Sequence, residues 1–317
     1  MTMVASGYIE LGPNAAAATP NTSIGTELKR TAYASTNLTE TDCRYLGGIN
    51  TGQIGFSNFY SKYVIQGQTF ATSTSGNWTV PTGVYYVSIL CIGAGGGGAA
   101  LSGSTTYSGG GGALSYTNNI PVTPGEVLSY VAAPITARQA QGGTSSVSRG
   151  ATVLVSAAGG SQYATGGQAS AGVGSVKYSG GNGNSYTGIG SAGGGGAAGY
   201  SGVGGTGGNP STQAGTAGSG GGGGGGGGSS SFSTGGGGGG VGNIGEGPSG
   251  AASGTNGGAG KGGSYGTDGV GGFLLGGAGG GYGGGGGSDT TGTGGAGLVR
   301  FMWGVNRYYP STNTGVL

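Results

Sequence analysis

Long runs of glycine constrain the fold of this chain more than any other feature. Of its 317 residues, 92 are glycine, and residues 220–228 are glycine without a break. Glycine loses more conformational freedom on folding than any other residue, and it brings no side chain to bury. An ordered backbone in such runs therefore needs hydrogen bonds from other backbone segments; without them the runs stay disordered.

Two common explanations of a high glycine content fit this chain poorly. A collagen triple helix needs glycine at every third position and abundant proline, whereas this chain has continuous glycine runs and only 9 Pro. Disordered chains usually carry many charges and few aromatic residues, whereas here 6% of the residues are charged and 18 are Tyr. The composition excludes collagen and weighs against disorder.

The most glycine-rich segment, residues 158–295, must offset a large loss of entropy in order to fold. Fixing its backbone costs of the order of 100–300 kcal/mol. Polyproline-II helices of glycine have roughly three residues per turn and no internal hydrogen bonds. Every N–H can then reach a carbonyl of a neighbouring helix, and runs such as 235–240 suit this packing. We predict a polyglycine-II bundle over 158–295, with display loops between its glycine runs.

The segment 63–157 has the composition of β-structure and includes β-branched and aromatic runs. Its first part, 63–76, is predicted to be an edge strand or a linker. Strands are predicted here and after the glycine-rich segment, at 84–92, 113–120, 126–132, 152–156 and 298–303. Pro124 and Gly125 suit the centre of a type II turn.

Together these strands predict a mainly β protein with little α-helix, in which 63–157 forms an antiparallel β-sandwich that 296–303 completes. The predicted core of the sandwich contains aromatic and aliphatic residues: Trp78, Val87, Ile89, Leu114, Val153, Leu298 and Phe301.

Residues 1–62 contain less glycine and form a small N-terminal module with an internal repeat. The segment 6–11 recurs as 51–56, and each copy is predicted to be a turn followed by a short strand. Between the copies, Asn37 can cap a short helix that Gly47 stops, and Ser57 can cap a turn that ends at Tyr60. The module is too small for much core of its own, so we expect it to dock on a partner protein.

The residue types that usually carry catalysis are scarce. The chain has no His, which removes the commonest general base and metal ligand. Glu40 and Asp42 are close in sequence, but residues two apart on a helix do not share a face. Residues 202–207 match a dinucleotide fingerprint without its strand and helix, and 260–262 lack the Ser or Thr of a phosphate loop. We predict no enzymatic activity, no cofactor and no metal site.

Charge and hydropathy exclude further classes of partner. The net charge is +2 without a basic run, so no nucleic-acid partner is expected. The longest apolar stretch, 84–92, is too short to cross a membrane, and the N-terminus lacks the features of a secretory signal. Cys43 and Cys91 lie far apart; a disulfide stays open, but free thiols in a reducing cytosol are favoured.

Several motifs resemble the glycine-rich domain of phage tail proteins: residues 78–83, 91–98, 109–113, 122–125 and 294–301. The glycine blocks broken by Tyr- and Ser-rich loops resemble the tail-fibre tip adhesins of T-even-like phages. The repeat that ends at 54–62 resembles the N-terminal modules of marine cyanophage virion proteins. Together these resemblances cover most of the chain. T-even adhesins have a different N-terminal region, so a fibre-tip, baseplate or neck position stays open.

The resemblance implies a non-enzymatic virion protein of the tail or tail fibre, made in the host cytoplasm without a signal peptide. Residues 1–62 would attach it to other tail or baseplate proteins, and 304–317 would form a C-terminal tail. Loops at the tip of the glycine-rich domain would bind a bacterial surface receptor, either an outer-membrane protein or a polysaccharide. Homotrimer and monomer both stay open.

The sequence leaves two alternative functions open. The first is a structural baseplate, collar or fibre component without receptor binding. The second is a cellular glycine-rich wall or ice-binding protein, against which the missing secretory signal argues.

Chain direction predicts where the binding tip lies. The strand at 84–92 continues into glycines at 93–98, which should leave the sandwich and extend about 19 Å at the polyproline-II rise. The loops 99–108 and 288–293 should then be neighbours, with 229–234 beside them. Three residues are the predicted receptor contacts: Tyr107, Phe232 and Asp289.

Overall fold

The fold is seen in a computed structural model. It describes residues 41–47, 49, 53–55, 65–100, 105–188, 190–211, 214–230, 235–254, 256–272, 276–288 and 292–316. Helix α1 (Thr41–Gly47) ends at the predicted glycine. The predicted cap at Asn37, the turn that ends at Tyr60 and the first copy of the repeat lie outside the described residues.

Twelve strands form three antiparallel sheets. They are β1 (Gly67–Thr72), β2 (Ser75–Thr79), β3 (Tyr86–Ile92), β4 (Ala99–Ala100), β5 (Thr105–Tyr107), β6 (Leu114–Pro121), β7 (Val127–Val131), β8 (Ser145–Arg149), β9 (Thr152–Ala157), β10 (Val176–Tyr178), β11 (Ser185–Thr187) and β12 (Leu298–Trp303). One sheet has the order β1-β12-β3-β6-β10, the second β2-β7-β8-β9 and the third β11-β5-β4. The mainly β class is confirmed, and 63–76 supplies the edge strand β1.

The first two sheets enclose one apolar core. Trp78 of β2 stacks on Phe301 of β12, with ring centroids 4.4 Å apart. Val87 and Ile89 of β3 are buried in the same cluster, as the sequence predicts. The turn before β7 is also as predicted: Gly125 has a φ of 83°, and the amide of Glu126 donates to Thr123 O at 2.9 Å.

Three residues predicted for this core lie elsewhere. Leu114 and Leu298 are buried in a second cluster, on the opposite face of the five-stranded sheet. Val153 is 41% exposed, because the register of β9 against β8 shifts beside Val147. A register irregularity of this kind changes which side chains face the core, and Val155 takes the inward position.

The glycine runs are polyglycine-II helices that bond to one another. Their amides donate to three neighbouring segments in turn, and each neighbour recurs after three residues. The run 93–98 shows this pattern. The amides of Gly93 and Gly96 donate to one neighbour, at Ala113 O and Gly110 O respectively. Those of Ala94 and Gly97 donate to a second neighbour, at Gly143 O and Ala140 O, and those of Gly95 and Gly98 to a third, at Gly295 O and Gly292 O. This period matches the roughly three residues per turn of the helix.

The bundle does not keep to the predicted range 158–295. The runs 93–98 and 109–112 belong to it, whereas β10 from inside the range joins the five-stranded sheet. The helices run alternately away from and towards the sandwich, since most neighbours are antiparallel. We call the end near Gly93 and Ala113 the base of the bundle, and the opposite end, beyond Gly98, its distal end.

The base of the bundle packs on the outer face of the five-stranded sheet. Ala197, Tyr200 and Val241 from the bundle meet Leu298 and Met302 of β12 in the second apolar cluster. The Tyr200 hydroxyl donates to Gly242 O at 3.0 Å. Burial raises the pKa of Tyr200 well above its ordinary value. The described fold therefore has three layers: the four-stranded sheet, the five-stranded sheet and the bundle.

The predicted C-terminal tail is built into this base. Arg300 of β12 is fully buried, and its Nη1 donates to Asn243 O at 2.7 Å. Arg307 Nη1 donates to Gly67 O at 2.8 Å, and its Nη2 donates to Gly315 O at 2.6 Å. Both guanidinium groups also donate to the side-chain oxygen of Gln68. The arginines thus join a bundle turn, the edge strand and the tail.

Candidate functional site at the distal end of the bundle

The described ends of the three predicted loops lie together at the distal end. Gly98 N–H donates to Gly292 O at 2.7 Å, which makes the loops 99–108 and 288–293 neighbours. The loop 229–234 begins beside them. Ser229 forms an isolated β-bridge with Ser191, and Ala192, which follows Ser191, accepts a hydrogen bond from the amide of Ser288 at 3.0 Å.

Buried serines fix the chain where it leaves the polyglycine-II helices. Ser108 Oγ donates to Gly193 O at 2.6 Å and accepts from the amide of Asn184 at 2.7 Å. Ser288 Oγ accepts from the amide of Ala192 at 2.7 Å. Each hydroxyl bonds backbone groups at the point where the helix ends. This role was not predicted, although a serine at the border of a glycine run marks each position.

Tyr107 lies at this distal end, as predicted. It belongs to β5, is partly buried and pairs with Ala99 on one side and Ser185 on the other. The other two predicted contact residues, Phe232 and Asp289, lie outside the described residues. The structure therefore brings together the ends of all three loops, and describes one of the three predicted side chains.

The small sheet carries aromatic and hydroxyl groups on one face. Tyr107 pairs with Ser185 and Thr105 with Thr187, and residues two apart on a strand point to the same face. The Oγ1 atoms of Thr105 and Thr187 are 3.2 Å apart. Tyr163 completes this face, with its ring edge-on to Tyr107 at 5.6 Å and 84°. We call these five residues the tyrosine platform.

The platform is anchored on the bundle but open to solvent. The amide of Tyr163 donates to Ser161 Oγ at 3.0 Å, and the next amide, of Ala164, donates to Ser108 O at 3.0 Å. Tyr163 is 51% exposed, and Ser185 and Thr187 are exposed beside it. Tyr163 was one of many bundle tyrosines in the sequence, and only the fold singles it out.

A scan of this chain against protein-family models finds no match, and a search of curated proteins finds no match either.

The platform residues are uncharged. The described ion pairs lie elsewhere, one between Arg149 and Glu126 and one between Lys261 and Asp268 at 2.7 Å. Burial raises the pKa of Glu126. Hydrogen bonds from Arg149 and from the amide of Thr123 lower it by more, so the pKa of Glu126 is lower than its ordinary value. A hydrogen bond from Lys261 is the main reason that the pKa of Asp268 is lowered.

Arg138 is the charged residue that passes beside the distal part of the run 93–98. It lies in the segment after β7, where the next amide, of Gln139, donates to Gly98 O at 3.0 Å. The side chain is exposed to solvent. Arg138 lies between β7 and β8 in the chain and belongs to none of the strands of the platform sheet.

The motifs that formally resemble nucleotide sites have other roles here. Within 202–207, the amide of Gly205 donates to Gly223 O at 2.8 Å, so it helps to hold the bundle together. The amide of Gly262 and the ammonium group of Lys261 both donate to Asp268. In the described part of the chain no three His, Cys, Asp or Glu residues are grouped to hold a metal ion.

Two further findings concern the membrane and the cysteines. Among the described residues no helix has the length and apolar character needed to cross a bilayer. Both Cys43 and Cys91 are described and buried, and no disulfide joins them. Cys91 Sγ donates to Val155 O at 3.6 Å inside the sandwich, and burial raises the pKa of its thiol.

Proposed function

We propose that the chain is a non-enzymatic, phage tail-associated adhesin that binds the host cell surface with the distal end of its bundle. One observation carries this proposal: the ends of three loops and an exposed tyrosine platform converge at the end of the bundle that faces away from the sandwich.

The bundle suits the display of variable loops on a rigid support. Its amides bond to neighbouring backbone carbonyls, so the packing of one helix on another rests mainly on the backbone. A Cβ atom would overlap backbone at most of its glycines. Substitutions in the turns would therefore leave this packing intact, whereas substitutions within the helices would disturb it. Binding residues on loops held by a rigid scaffold are typical of recognition proteins.

The chemistry of the distal end also favours recognition. Tyrosine offers a large, rigid contact area with a polar tip, and Ser, Gly and Asn supply adaptable hydrogen bonds. Tyr107 and Tyr163 stand among such residues. In this proposal the receptor is an outer-membrane protein or a polysaccharide, and residues 1–62 attach the chain to tail or baseplate proteins of the virion.

Adsorption of the phage that encodes this chain tests the proposal. The purified chain should compete with virions for host cells and slow their adsorption. The triple variant of Thr105, Tyr107 and Tyr163 to Ala should compete less well. Tyr265→Ala is a matched control, because Tyr265 is 74% exposed at the base of the bundle. A chain that is present on labelled virions but never competes would instead be a structural component.

A further inference from the structure

We infer that the ligand of the tyrosine platform is an uncharged saccharide of the host cell surface. This inference rests on the proposed function and specifies the class of receptor. The five platform residues, Thr105, Tyr107, Tyr163, Ser185 and Thr187, supply one type of surface: aromatic rings bordered by hydroxyl groups.

The geometry suits a sugar ring. Tyr107 and Tyr163 meet almost at a right angle, so the two rings form a corner and Tyr163 keeps half of its surface open. A pyranose ring presents C–H groups on its faces and hydroxyl groups around its rim. The electron-rich face of an aromatic ring attracts the C–H groups, and Ser and Thr hydroxyls both donate and accept hydrogen bonds at the rim.

The dimensions of the platform are also those of a small saccharide. The Tyr107–Ser185 pair and the Thr105–Thr187 pair are cross-strand neighbours, two residues apart along the strands. They are therefore separated by about 7 Å along the strands, and the strands by about 5 Å. This area accommodates one or two sugar rings, and the corner at Tyr163 limits it on one side.

The absence of charge on the platform selects against acidic ligands. Sulfated, phosphorylated or carboxylated sugars need basic groups to replace their lost hydration, and none of the five platform residues is charged. Arg138, the exposed cation of the flanking segment, is not part of the three-stranded sheet that carries the platform. A neutral saccharide needs only the hydroxyl and aromatic groups that are present.

A protein ligand fits this surface less well. Strand addition would have to use β11 or β4, the two edges of the small sheet, which have only 3 and 2 residues. A hot spot for a protein partner is usually a well-packed pocket that is fully desolvated. The platform is instead an open corner with exposed hydroxyl groups at Ser185 and Thr187.

An array of neutral and acidic bacterial surface oligosaccharides, probed with the full chain, tests this inference. The chain should bind one or more neutral oligosaccharides and prefer them to acidic ones. Tyr163→Ala should weaken that binding about tenfold or more, as removal of a central aromatic contact does. Tyr163→Phe keeps the ring and should bind within about threefold of the native chain, since the phenol loses only one neutral hydrogen bond.

The control variant and the alternative outcomes keep the two proposals separate. Tyr265→Ala, at the opposite end of the bundle, should leave oligosaccharide binding unchanged. Binding only to acidic oligosaccharides or to outer-membrane protein, or binding that survives Tyr163→Ala, would overturn the saccharide inference and leave the adhesin proposal standing. A chain that binds host cells in no assay would overturn the adhesin proposal itself.

Discussion

At the scale of single residues, the interior glycines are the positions that least tolerate a side chain. Gly196 lies in the middle of the bundle, and a methyl group on its Cα would overlap the carbonyl group of Gly223. That carbonyl belongs to a neighbouring helix, so the overlap is relieved only if two backbones separate and lose their hydrogen bonds.

We therefore expect Gly196→Ala to lower the free energy of unfolding by at least about 2 kcal/mol, the cost of overpacking a dense interior. Gly254→Ala is the matched control. Gly254 has no heavy atom near its Cβ direction, so its substitution should be neutral or stabilising by up to about 1 kcal/mol. Urea unfolding of the two variants measures both values. Equal stability of the two variants would show that the interior is not packed as described.

Buried phenol groups at the base predict how stability depends on pH. Burial raises the pKa of Tyr200 and Tyr309 in the folded chain, whereas Tyr in an unfolded chain has a pKa of about 10. The folded state therefore keeps its phenol protons when the unfolded state releases them. Their contribution to stability is fully present below about pH 10 and is lost as the pH rises further.

The chain has no His, so no imidazole titrates between pH 5 and 8. We expect the free energy of unfolding to change little across this range and to fall above about pH 10. Urea unfolding between pH 5 and 11, with tyrosinate absorbance as a second readout, measures this dependence. Exposed tyrosines ionise near pH 10 in the folded chain too, so the amplitude decides: tyrosinate absorbance that reaches the value for all 18 Tyr without loss of the fold would contradict the burial of these rings.

At the scale of the elements, strands with a strong apolar pattern were predictable and weaker ones were not. β12 occupies the predicted residues, and β3 and β6 lie within two residues of their predicted ends. β8 was missed because it has a single large apolar residue, Val147, among Ser and Arg. Val153 was wrongly predicted to face the core. The register shift between β8 and β9 turns it outward, and no local sequence pattern reveals such a shift.

The distal site was predictable in its position but not in its detail. Chain direction alone predicted that the ends of the loops meet, because polyglycine-II helices are straight and their rise is known. The pairing of Tyr107 with Ser185 and its contact with Tyr163 depend on residues far apart in the sequence. Such contacts follow from the order in which the helices pack, and the glycine runs are too uniform to encode that order locally.

The uniformity of the glycine runs has a testable consequence. Residues 222–228 are all glycine, so the run can shift by one residue within the bundle and still place a glycine at each packing position. One glycine inserted after Gly224 should therefore shift into the turn beyond the helix, where a longer loop costs less than about 1 kcal/mol. One glycine inserted after Val299 of β12 should exchange the two faces of the strand and move Arg300 from its carbonyl partners.

We expect the first insertion to leave the urea midpoint nearly unchanged and the second to abolish cooperative unfolding. Circular dichroism and urea titration of the two chains compare them directly. If the glycine inserted after Gly224 unfolds the protein, the glycine run has a fixed register and cannot shift within the bundle.

At the scale of the whole molecule, the two apolar clusters and the bundle make one continuous structure. The five-stranded sheet contributes to both clusters, one against the four-stranded sheet and one against the base of the bundle. Arg300 and Arg307 close the base by holding the C-terminal tail. The proposed adhesin function depends on this continuity, since a displayed loop is useful only if its support is ordered.

Amide hydrogen exchange in the bundle tests the central claim, that the glycine runs are ordered by hydrogen bonds between helices. The amides of Gly223, Gly226, Gly236 and Gly239 each donate to a carbonyl of another helix at 2.8–3.0 Å. We predict that they exchange orders of magnitude more slowly than in an unstructured peptide, as amides do when they open only with a packed unit. Complete exchange of these amides within seconds would contradict the bundle and the rigid display of its loops.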